Sequence, residues 1–384
     1  MPWLETDPMT QRAQFIADVR RAHLTMTELC ARYAISRKTG YKWLARYDAG
    51  GQPGLADRSR APHHCPHRIS EAVATLICDA REDHPLWGAE TLLDWLAPRN
   101  PAVTAWPAVS TAADLLDRRG MVTRRRRRRP PVAHPGVVPI ATAAPNDLWT
   151  ADFKGDFRTG DGQRCYPLTL IDHHARFLLR CQGLASTQTV TARPVFERAF
   201  REYGLPHAIR TDNGAPFATT SLHGLSRLNV WWMRLGIQHQ RSRPGCPQDN
   251  GAHERFHRTL KRHAIRPARA SGRAQQRAFD AFRHEYNAER PHRHLDGAVP
   301  AARYVGSPRL YPTRLPPLAY PGHFLVKKIT TGGTFRFQSR LLFLAKPLTG
   351  YHVGLEETDD GVWAIYFNTI LLATFDERDH IIHE

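Results

Sequence analysis

The sequence predicts a multidomain α+β protein, with helical clusters first, an α/β domain in the middle and a strand-rich segment last. Apolar residues recur at helical spacing as far as Arg119. Strand-like and helix-like runs then alternate between 146 and 265, and short apolar runs separated by Gly and Asp turns follow Leu318. A length of 384 residues allows two or three such domains.

The composition indicates a polyanionic partner. The formal net charge is +18, and only seven of the 54 basic residues are Lys. Arg forms bidentate bonds with phosphate and stacks on bases better than Lys does, and such a charge is typical of proteins that bind nucleic acid. A GC-rich gene would also produce many arginines, so this alternative stays open.

Residues 1–56 are predicted to form three short helices with a helix-turn-helix pattern. Ser36 is a suitable N-cap for the third helix. Arg37, Lys38 and Lys42 fall on its exposed side, where a recognition helix contacts DNA. The alternative is a small three-helix unit with a basic surface.

Residues 66–122 repeat the helix, turn and helix order loosely, which favours a second small DNA-binding domain. A purely structural spacer bundle is the alternative. Residues 123–145 are a predicted linker rich in Arg and Pro. Its basic run consists of Arg124, Arg125, Arg126, Arg127, Arg128 and Arg129. Like charges keep such a run extended, as a solvated tether or as a segment that follows DNA.

Residues 146–310 are predicted to form an α/β domain with a helical extension. Three strands, a helix, a strand, a helix over 221–235, a strand and a helix follow one another, an order typical of a ribonuclease-H-like fold. Asp152 lies midway along the first predicted strand, 148–157, and Asp212 just beyond the fourth. These two strands are neighbours in that fold, so we expect the two carboxylates to be close.

A helix is expected to begin near Gln248, after the Pro244, Gly245 and Pro247 breaker. Its predicted polar face carries Asn250, Glu254, His257 and Lys261, and its apolar face carries Ala252, Phe256 and Leu260. We predict that Asn250, His257, Arg258 and Lys261 contact DNA. A lone Glu on a polar face is usually a solvated surface residue, and Asp212-Asn213-Gly214 is also ordinary turn chemistry.

Three carboxylates can hold two divalent metal ions for phosphoryl transfer. We predict Asp152, Asp212 and Glu254 as catalytic residues and metal ligands, with Asp152 bridging two Mg²⁺ ions. Mn²⁺ is expected to substitute. Water or a DNA 3′-hydroxyl would then be the nucleophile.

The remaining segments exclude some other classes. The six Cys show no zinc spacing and are expected to be reduced thiols. No secretory signal or membrane-spanning stretch is seen, so we expect a cytoplasmic, nucleoid-associated protein. Residues 318–384 are predicted to form a small β-barrel.

Four motifs carry a family resemblance. They are Trp149-x-x-Asp152-Phe153, Thr211-Asp212-Asn-Gly-x-Pro-Phe217, Pro247-Gln-x-Asn-Gly-x-x-Glu254-Arg-Phe-His257 and Tyr286-Asn-x-x-Arg-Pro-His292. Together they resemble the DDE transposases of bacterial insertion sequences, which share a catalytic core with retroviral integrases. The 41 residues between Asp212 and Glu254 exceed the spacing typical of the best-known subgroup, and Cys246 stands where a small or polar residue is expected.

The resemblance implies Mg²⁺-dependent cleavage at the ends of an element and strand transfer into target DNA. It also implies that the helix-turn-helix units bind terminal inverted repeats and that the protein acts as a homo-oligomer. Two other functions stay open: a catalytically silent DNA-binding regulator and a ribonuclease-H-like nuclease.

Overall fold

A computed structural model of the protein describes residues 7–58, 69–123, 142–219, 224–242 and 251–383. The chain divides into two compact units, Met1–Arg68 and Ile69–Glu384. The Arg124–Arg129 run, Asn250 and Cys246 lie outside the described residues, so the expectations for them are not addressed by the structure.

The first unit contains the predicted helix-turn-helix. Its helices are α1 (Pro8–Arg21), α2 (Met26–Arg32) and α3 (Arg37–Gly50). Thr25 and Glu28 form a reciprocal capping box at the start of α2, and the Ser36 side chain accepts from the backbone N–H of Thr39. A Cβ at Gly40 would lie 2.7 Å from Sγ of Cys30, so the close approach of α2 and α3 requires glycine there.

The second unit begins with a helical cluster. It consists of α4 (Glu71–Asp83), α5 (Ala89–Arg99) and α6 (Val109–Arg118) around the fully buried Trp87. Trp87 Nε1 donates to Oε1 of Glu285 at 3.0 Å, which attaches this cluster to the α/β domain behind it.

The α/β domain is built on a six-stranded sheet. Its strands are β1 (Leu148–Phe153), β2 (Phe157–Arg158), β3 (Arg164–Asp172), β4 (Leu178–Leu184), β5 (Ala208–Thr211) and β6 (Gln238–Arg241). Strands β2 and β4 both pair with β3, and β1, β5 and β6 follow it in the sheet. The β1–β3 and β3–β4 pairs are antiparallel, whereas β1–β5 and β5–β6 are parallel. This is the predicted ribonuclease-H-like arrangement.

Four helices belong to this domain. They are α7 (Thr189–Tyr203), α8 (Arg227–Arg234), α9 (Gly251–Leu260) and α10 (Gly272–His284). A π-helical turn, Lys261–Ile265, continues α9. Aromatic side chains fill the space between the sheet and α7 and α8, including Trp149, Phe196, Phe200 and Trp232.

Two predicted boundaries are wrong. The first strand ends at Phe153 instead of 157, because Gly155 has a φ of 84° and turns the chain before the short β2. Asp152 is therefore near the end of β1, not at its middle. The helix expected over 221–235 begins at Arg227, because the Ser226 side chain caps it in a box with Asn229.

The C-terminal segment contains more strands than expected. They are β7 (Leu325–Lys328), β8 (Thr334–Phe337), β9 (Arg340–Phe343), β10 (His352–Asp359), β11 (Val362–Phe367), β12 (Ile370–Asp376) and β13 (Ile382–His383). A five-stranded sheet has the order β13-β12-β11-β10-β7, and β8 pairs with β9 alone. The predicted closed barrel is not confirmed, because among the described strands the sheet ends, β13 and β7, do not pair.

This segment is not isolated from the α/β domain. Val230 and Met233 of α8 belong to the same buried cluster as Phe335, Phe367 and Phe375. Among the described residues, no helix combines the length and apolar character needed to cross a membrane.

Candidate active site

The end of β1 and the segment after β5 bring Asp152 and Asp212 to one edge of the sheet. The two strands are parallel, with Thr150 opposite Arg210, and Asp212 directly follows β5. The Asp152 side chain is 17% exposed. Burial first, and then the negative charges of Asp212 and Glu254, raise the pKa of Asp152 to about 7, although Lys154 acts in the opposite direction. Asp212 and Glu254 are therefore near enough to Asp152 for their charges to act on its carboxyl group.

Asp212 is held in an exposed, internally bonded turn. The backbone N–H of Gly214 donates to Oδ1 of Asp212 at 3.2 Å, and Asn213 Nδ2 donates to the carbonyl oxygen of Ser242 at 2.8 Å. This is the turn chemistry that the sequence allowed. The same turn also anchors Asp212 beside β1, since β5 ends immediately before it.

Helix α9 presents Glu254 to solvent and buries its opposite side. Glu254 is exposed, and Phe256 and Leu260 are buried as predicted. The expectation that His257 lies on the exposed polar face is wrong, because its exposure is only 6%. His257 is at the border between the two faces, and the sheet covers it because α9 packs against β3. Its ring is not on a surface that DNA could reach.

Both buried histidines of α9 form hydrogen bonds with the hydroxyl group of Thr169 in β3. Its Oγ1 lies 2.7 Å from Nε2 of His253 and 2.9 Å from Nε2 of His257. The same Oγ1 donates to the carbonyl oxygen of Asp152 at 3.0 Å, and Thr169 is opposite Asp152 in the β1–β3 register. Glu254 comes directly after His253 in α9, so this network holds its helix against the strand that carries Asp152.

The protons in this network follow from the donor inventory. A hydroxyl has one proton and accepts two hydrogen bonds. Since Thr169 donates to a carbonyl oxygen, both Nε2 atoms must carry the protons that they share with it. Nδ1 of His253 then accepts from Oγ1 of Thr150 at 3.0 Å. Burial lowers the pKa of His253 to about 3 and of His257 to about 2, so both rings are neutral at pH 7.

The donor set fits hard cations. Asp152, His253 and His257 each place a ligand atom within 4.8 Å of the others. However, both nitrogens of His253 and Nε2 of His257 are directed at hydroxyl groups. Nδ1 of His257 is the exception within this cluster. The oxygens of the three carboxylates therefore suit Mg²⁺ better than the imidazoles suit a softer metal.

Sequence reasoning missed three members of this network. Thr150 and Thr169 are ordinary strand residues, and His253 was not singled out. The signal that could have drawn attention to it is the spacing His253-x-x-x-His257, which places two imidazoles on one side of a helix.

The residues that were predicted to contact DNA differ in their exposure and lie in different elements. Arg37, Lys38 and Lys42 are exposed on α3. Arg258 is exposed one turn beyond Glu254, and Lys261 is half-buried at the start of the π-helical turn.

Family models match both parts of the chain. Two models described as "Integrase core domain" match residues 142–247 and 235–300, which include all three carboxylates. A "Helix-turn-helix domain" model matches residues 11–63, and a "Homeodomain-like domain" model matches residues 39–116.

Proteins of insertion elements are among the relatives. An uncharacterized 39.2 kDa protein of insertion element IS476 from Xanthomonas euvesicatoria is 26% identical over 72% of this chain and 77% of its own length. The transposase for insertion sequence element IS904 from Lactococcus lactis is 31% identical over 41% of this chain and 60% of its own length. These matches support a bacterial insertion-sequence transposase with an integrase core. This transposase also matches an uncharacterized 31.7 kDa protein of element IS407 from Burkholderia multivorans, with 28% identity over 47% of this chain and 64% of that relative.

Solved structures resemble the transposase more weakly. The HTLV-2 integrase catalytic core domain in complex with magnesium covers 42% of this chain and 99% of its own, with 15% identity and a TM-score of 0.34.

Proposed function

We propose that this transposase catalyses Mg²⁺-dependent cleavage at the ends of an insertion sequence and transfers the strand into target DNA. The observation that supports the proposal is that the charges of Asp212 and Glu254 act on the carboxyl group of Asp152. The three residues come from a segment after a strand, a helix and a strand end, and the parallel β1–β5 pair and the Thr169 network hold the elements that carry them.

Each carboxylate has a distinct role in this proposal. Asp152 would contact two Mg²⁺ ions, whereas Asp212 and Glu254 would each contact one, and Mn²⁺ also accepts such oxygen ligands. Bound cations of this kind lower the pKa of a water or hydroxyl and stabilise charge on a phosphate. The half-buried position of Asp152 excludes most water from one side of the site.

The charge of the site supports the same interpretation. A half-buried carboxylate flanked by two others is unfavourable without a counter-ion, as the raised pKa of Asp152 indicates. A structural role alone would be better served by an apolar or amide side chain at this position. We infer that the site retains the repulsion because it binds cations.

The helix-turn-helix would select the DNA. The exposed basic side chains of α3 are suited to contacts in the major groove. The terminal inverted repeats of the element are the proposed target. Because two ends of an element must be processed together, we expect the transposase to act as a homo-oligomer on DNA.

The test is Glu254→Gln in the full chain, assayed for end cleavage and strand transfer with Mg²⁺. Glu254 is exposed, so the substitution preserves folding and end binding while removing one ligand charge. Both reactions should fall together, by at least the factor of about 100 that removal of a strong transition-state interaction causes. Glu82→Gln is the control, because Glu82 is also exposed and has no ion pair among the described residues. Cleavage retained at the wild-type rate would exclude Glu254 as a ligand.

A further inference from the structure

A groove lined by basic residues runs beside α9. One end is lined by Arg176, Arg255, Arg290 and His292, which we call the Arg176 notch. The groove continues past Arg258, Arg262 and Arg266, and the two parts share Arg255, Thr259 and Arg290. None of the described residues that line either part is Asp or Glu.

Arg293, which also lines the notch, lies 3.5 Å from Oε1 of Glu90, whereas Arg176, Arg255 and Arg290 form no ion pair with a described carboxylate. Arg176 contacts ring nitrogens of His173 at 3.5 Å and His294 at 3.3 Å, and Arg290 contacts Nε2 of His263 at 3.4 Å. Within the described ranges, neither of them forms an ion pair, and neither does Arg255. Both Arg176 and Arg290 are half-buried, and burial lowers the pKa of each. Half-buried cations that bond only to imidazoles are unfavourable unless an anion binds beside them.

His292 adds a second, independent observation. Its Nε2 is buried and has no hydrogen-bond partner among the described residues, while its ring packs edge-on against Tyr286 with centroids 4.6 Å apart. Buried polar atoms are almost always paired in folded proteins. A phosphate oxygen beside Nε2 would favour the protonated ring, and the protonated Nε2 would then donate to it.

The shape of the groove indicates a long ligand. Arg255 and Arg258 of α9 and Arg262 of the π-helical turn that continues it follow one another at helical spacing. At 1.5 Å per residue, the seven steps from Arg255 to Arg262 span about 10 Å, or about three base-pair steps of DNA. The opposite wall contains Leu86, Thr91 and Thr123 of the α4–α6 cluster. A small anion would occupy only the notch and leave the remaining arginines without a counter-charge.

We propose that the Arg176 notch binds a backbone phosphate of duplex DNA that lies in this groove beside Glu254. The inference rests on the proposed function, because it concerns the DNA that the carboxylates would cut. It goes beyond that function by assigning Arg176, Arg255, Arg290 and His292 as the residues that position the DNA backbone. The forked guanidinium groups of Arg176 and Arg290 are suited to two oxygens of one phosphate.

The experiment measures the affinity of the full chain for a labelled duplex as a function of salt, in the absence of divalent metal. Removing one arginine–phosphate interaction reduces the slope of log K against log salt by about 0.9. The double variant Arg176→Gln with Arg255→Gln should therefore lower the slope by about 1.8. Between about 50 and 200 mM salt, the factor by which its affinity falls should then be roughly tenfold smaller than that of the wild type. Arg273→Gln is the matched control, because Arg273 is exposed on α10 and does not line the groove.

Folding is controlled separately. Arg255→Gln alone changes an exposed side chain and should lower the slope by about 0.9, even if the double variant folds poorly. Arg176→Lys keeps the charge but removes the fork, so it should weaken binding with a smaller change in slope.

Two outcomes would overturn the proposal. One is that both Gln variants have the same slope as Arg273→Gln. The other is that inorganic phosphate raises the melting temperature of the protein while the substitutions leave the duplex slope unchanged. The second outcome would show that the notch binds a small anion. Because no cleavage occurs without metal, these results are independent of the Glu254→Gln assay.

Discussion

Nδ1 of His257 lies 3.7 Å from Oδ2 of Asp152, while Nε2 of the same ring lies 2.9 Å from Oγ1 of Thr169. Since Nε2 carries the proton, Nδ1 directs a lone pair toward the carboxylate. Burial also lowers the pKa of His257 to about 2, so the ring does not neutralise Asp152 at pH 7. His257 therefore acts as a positioning residue, which packs beside Asp152 and supplies no positive charge to it.

Thr169→Val should damage the site more than it damages DNA binding. Valine has the shape of threonine but leaves the Nε2 protons of His253 and His257 without an acceptor, at a cost of about 1–3 kcal/mol for each buried group. We expect a lower melting temperature and slower end cleavage with unchanged affinity for the ends. Thermal melts, a gel shift and a cleavage assay give these three quantities.

Thr169→Ser is the matched variant, because it restores the hydroxyl and removes only a methyl group. It should recover most of the cleavage rate. If valine and serine reduce cleavage equally, packing at Thr169 matters and the hydrogen bonds do not.

The raised pKa of Asp152 predicts a pH dependence of stability in the absence of metal. The folded state keeps the proton of Asp152 up to about pH 7, whereas the unfolded chain releases it near pH 4. The contribution of Asp152 to stability is thus present at low pH and is lost as the pH rises from about 4 to 7. Relative to Asp152→Asn, the wild type should become progressively less stable over this range.

Melting both proteins without divalent metal from about pH 5 to pH 8 checks this expectation, since the window follows from the two pKa values. The buried histidines have lowered pKa values and impose the opposite trend, but they are present in both proteins and cancel in the difference. Added Mg²⁺ should favour the wild type at pH 8. A difference that does not change with pH would mean that Asp152 is ionised throughout.

The exposed basic side chains of α3 should determine which DNA sequence the protein prefers. Arg37→Gln with Lys38→Gln should reduce discrimination between element ends and scrambled DNA by about 1–3 kcal/mol for each base interaction that the substitutions remove. Competition gel shifts with the full chain measure this ratio. Arg32→Gln is the control, because Arg32 is exposed at the end of α2. An equal decrease of discrimination in the control would argue against α3 as the recognition helix.

The Arg124–Arg129 run should add affinity without sequence preference. Replacing its six arginines with Gln should flatten the salt dependence of binding, since each phosphate contact contributes about 0.9 to the slope. The ratio of specific to scrambled affinity should not change. A slope identical to that of the wild type would show that the run does not contact DNA.

Local rules explain which features were predictable from the sequence. Ser36 and Thr25 cap their helices through bonds to residues three positions away, so short motifs were enough to place α2 and α3. The alternation of strands and helices along the chain predicted a fold in which the first and fourth strands of the chain are neighbours, as β1 and β5 are. That order, together with the position of Asp212 after β5, was enough to place two carboxylates at one edge. The four motifs were enough to indicate the family.

Long-range packing decided the remaining features. Helical periodicity gives the angles between Glu254, His257 and Phe256 around the helix axis. It does not tell which side of the helix packs against the sheet. His257 could be placed correctly only through its contact with Thr169, 88 residues away in the chain. The Arg176 notch likewise brings together residues that are distant in the chain. Arg176 lies between β3 and β4, Arg255 is in α9, and Arg290 follows α10, and no local pattern connects them. Hydrogen bonds and like-charge encounters between such distant residues depend on how the elements pack, and only the tertiary structure determines that.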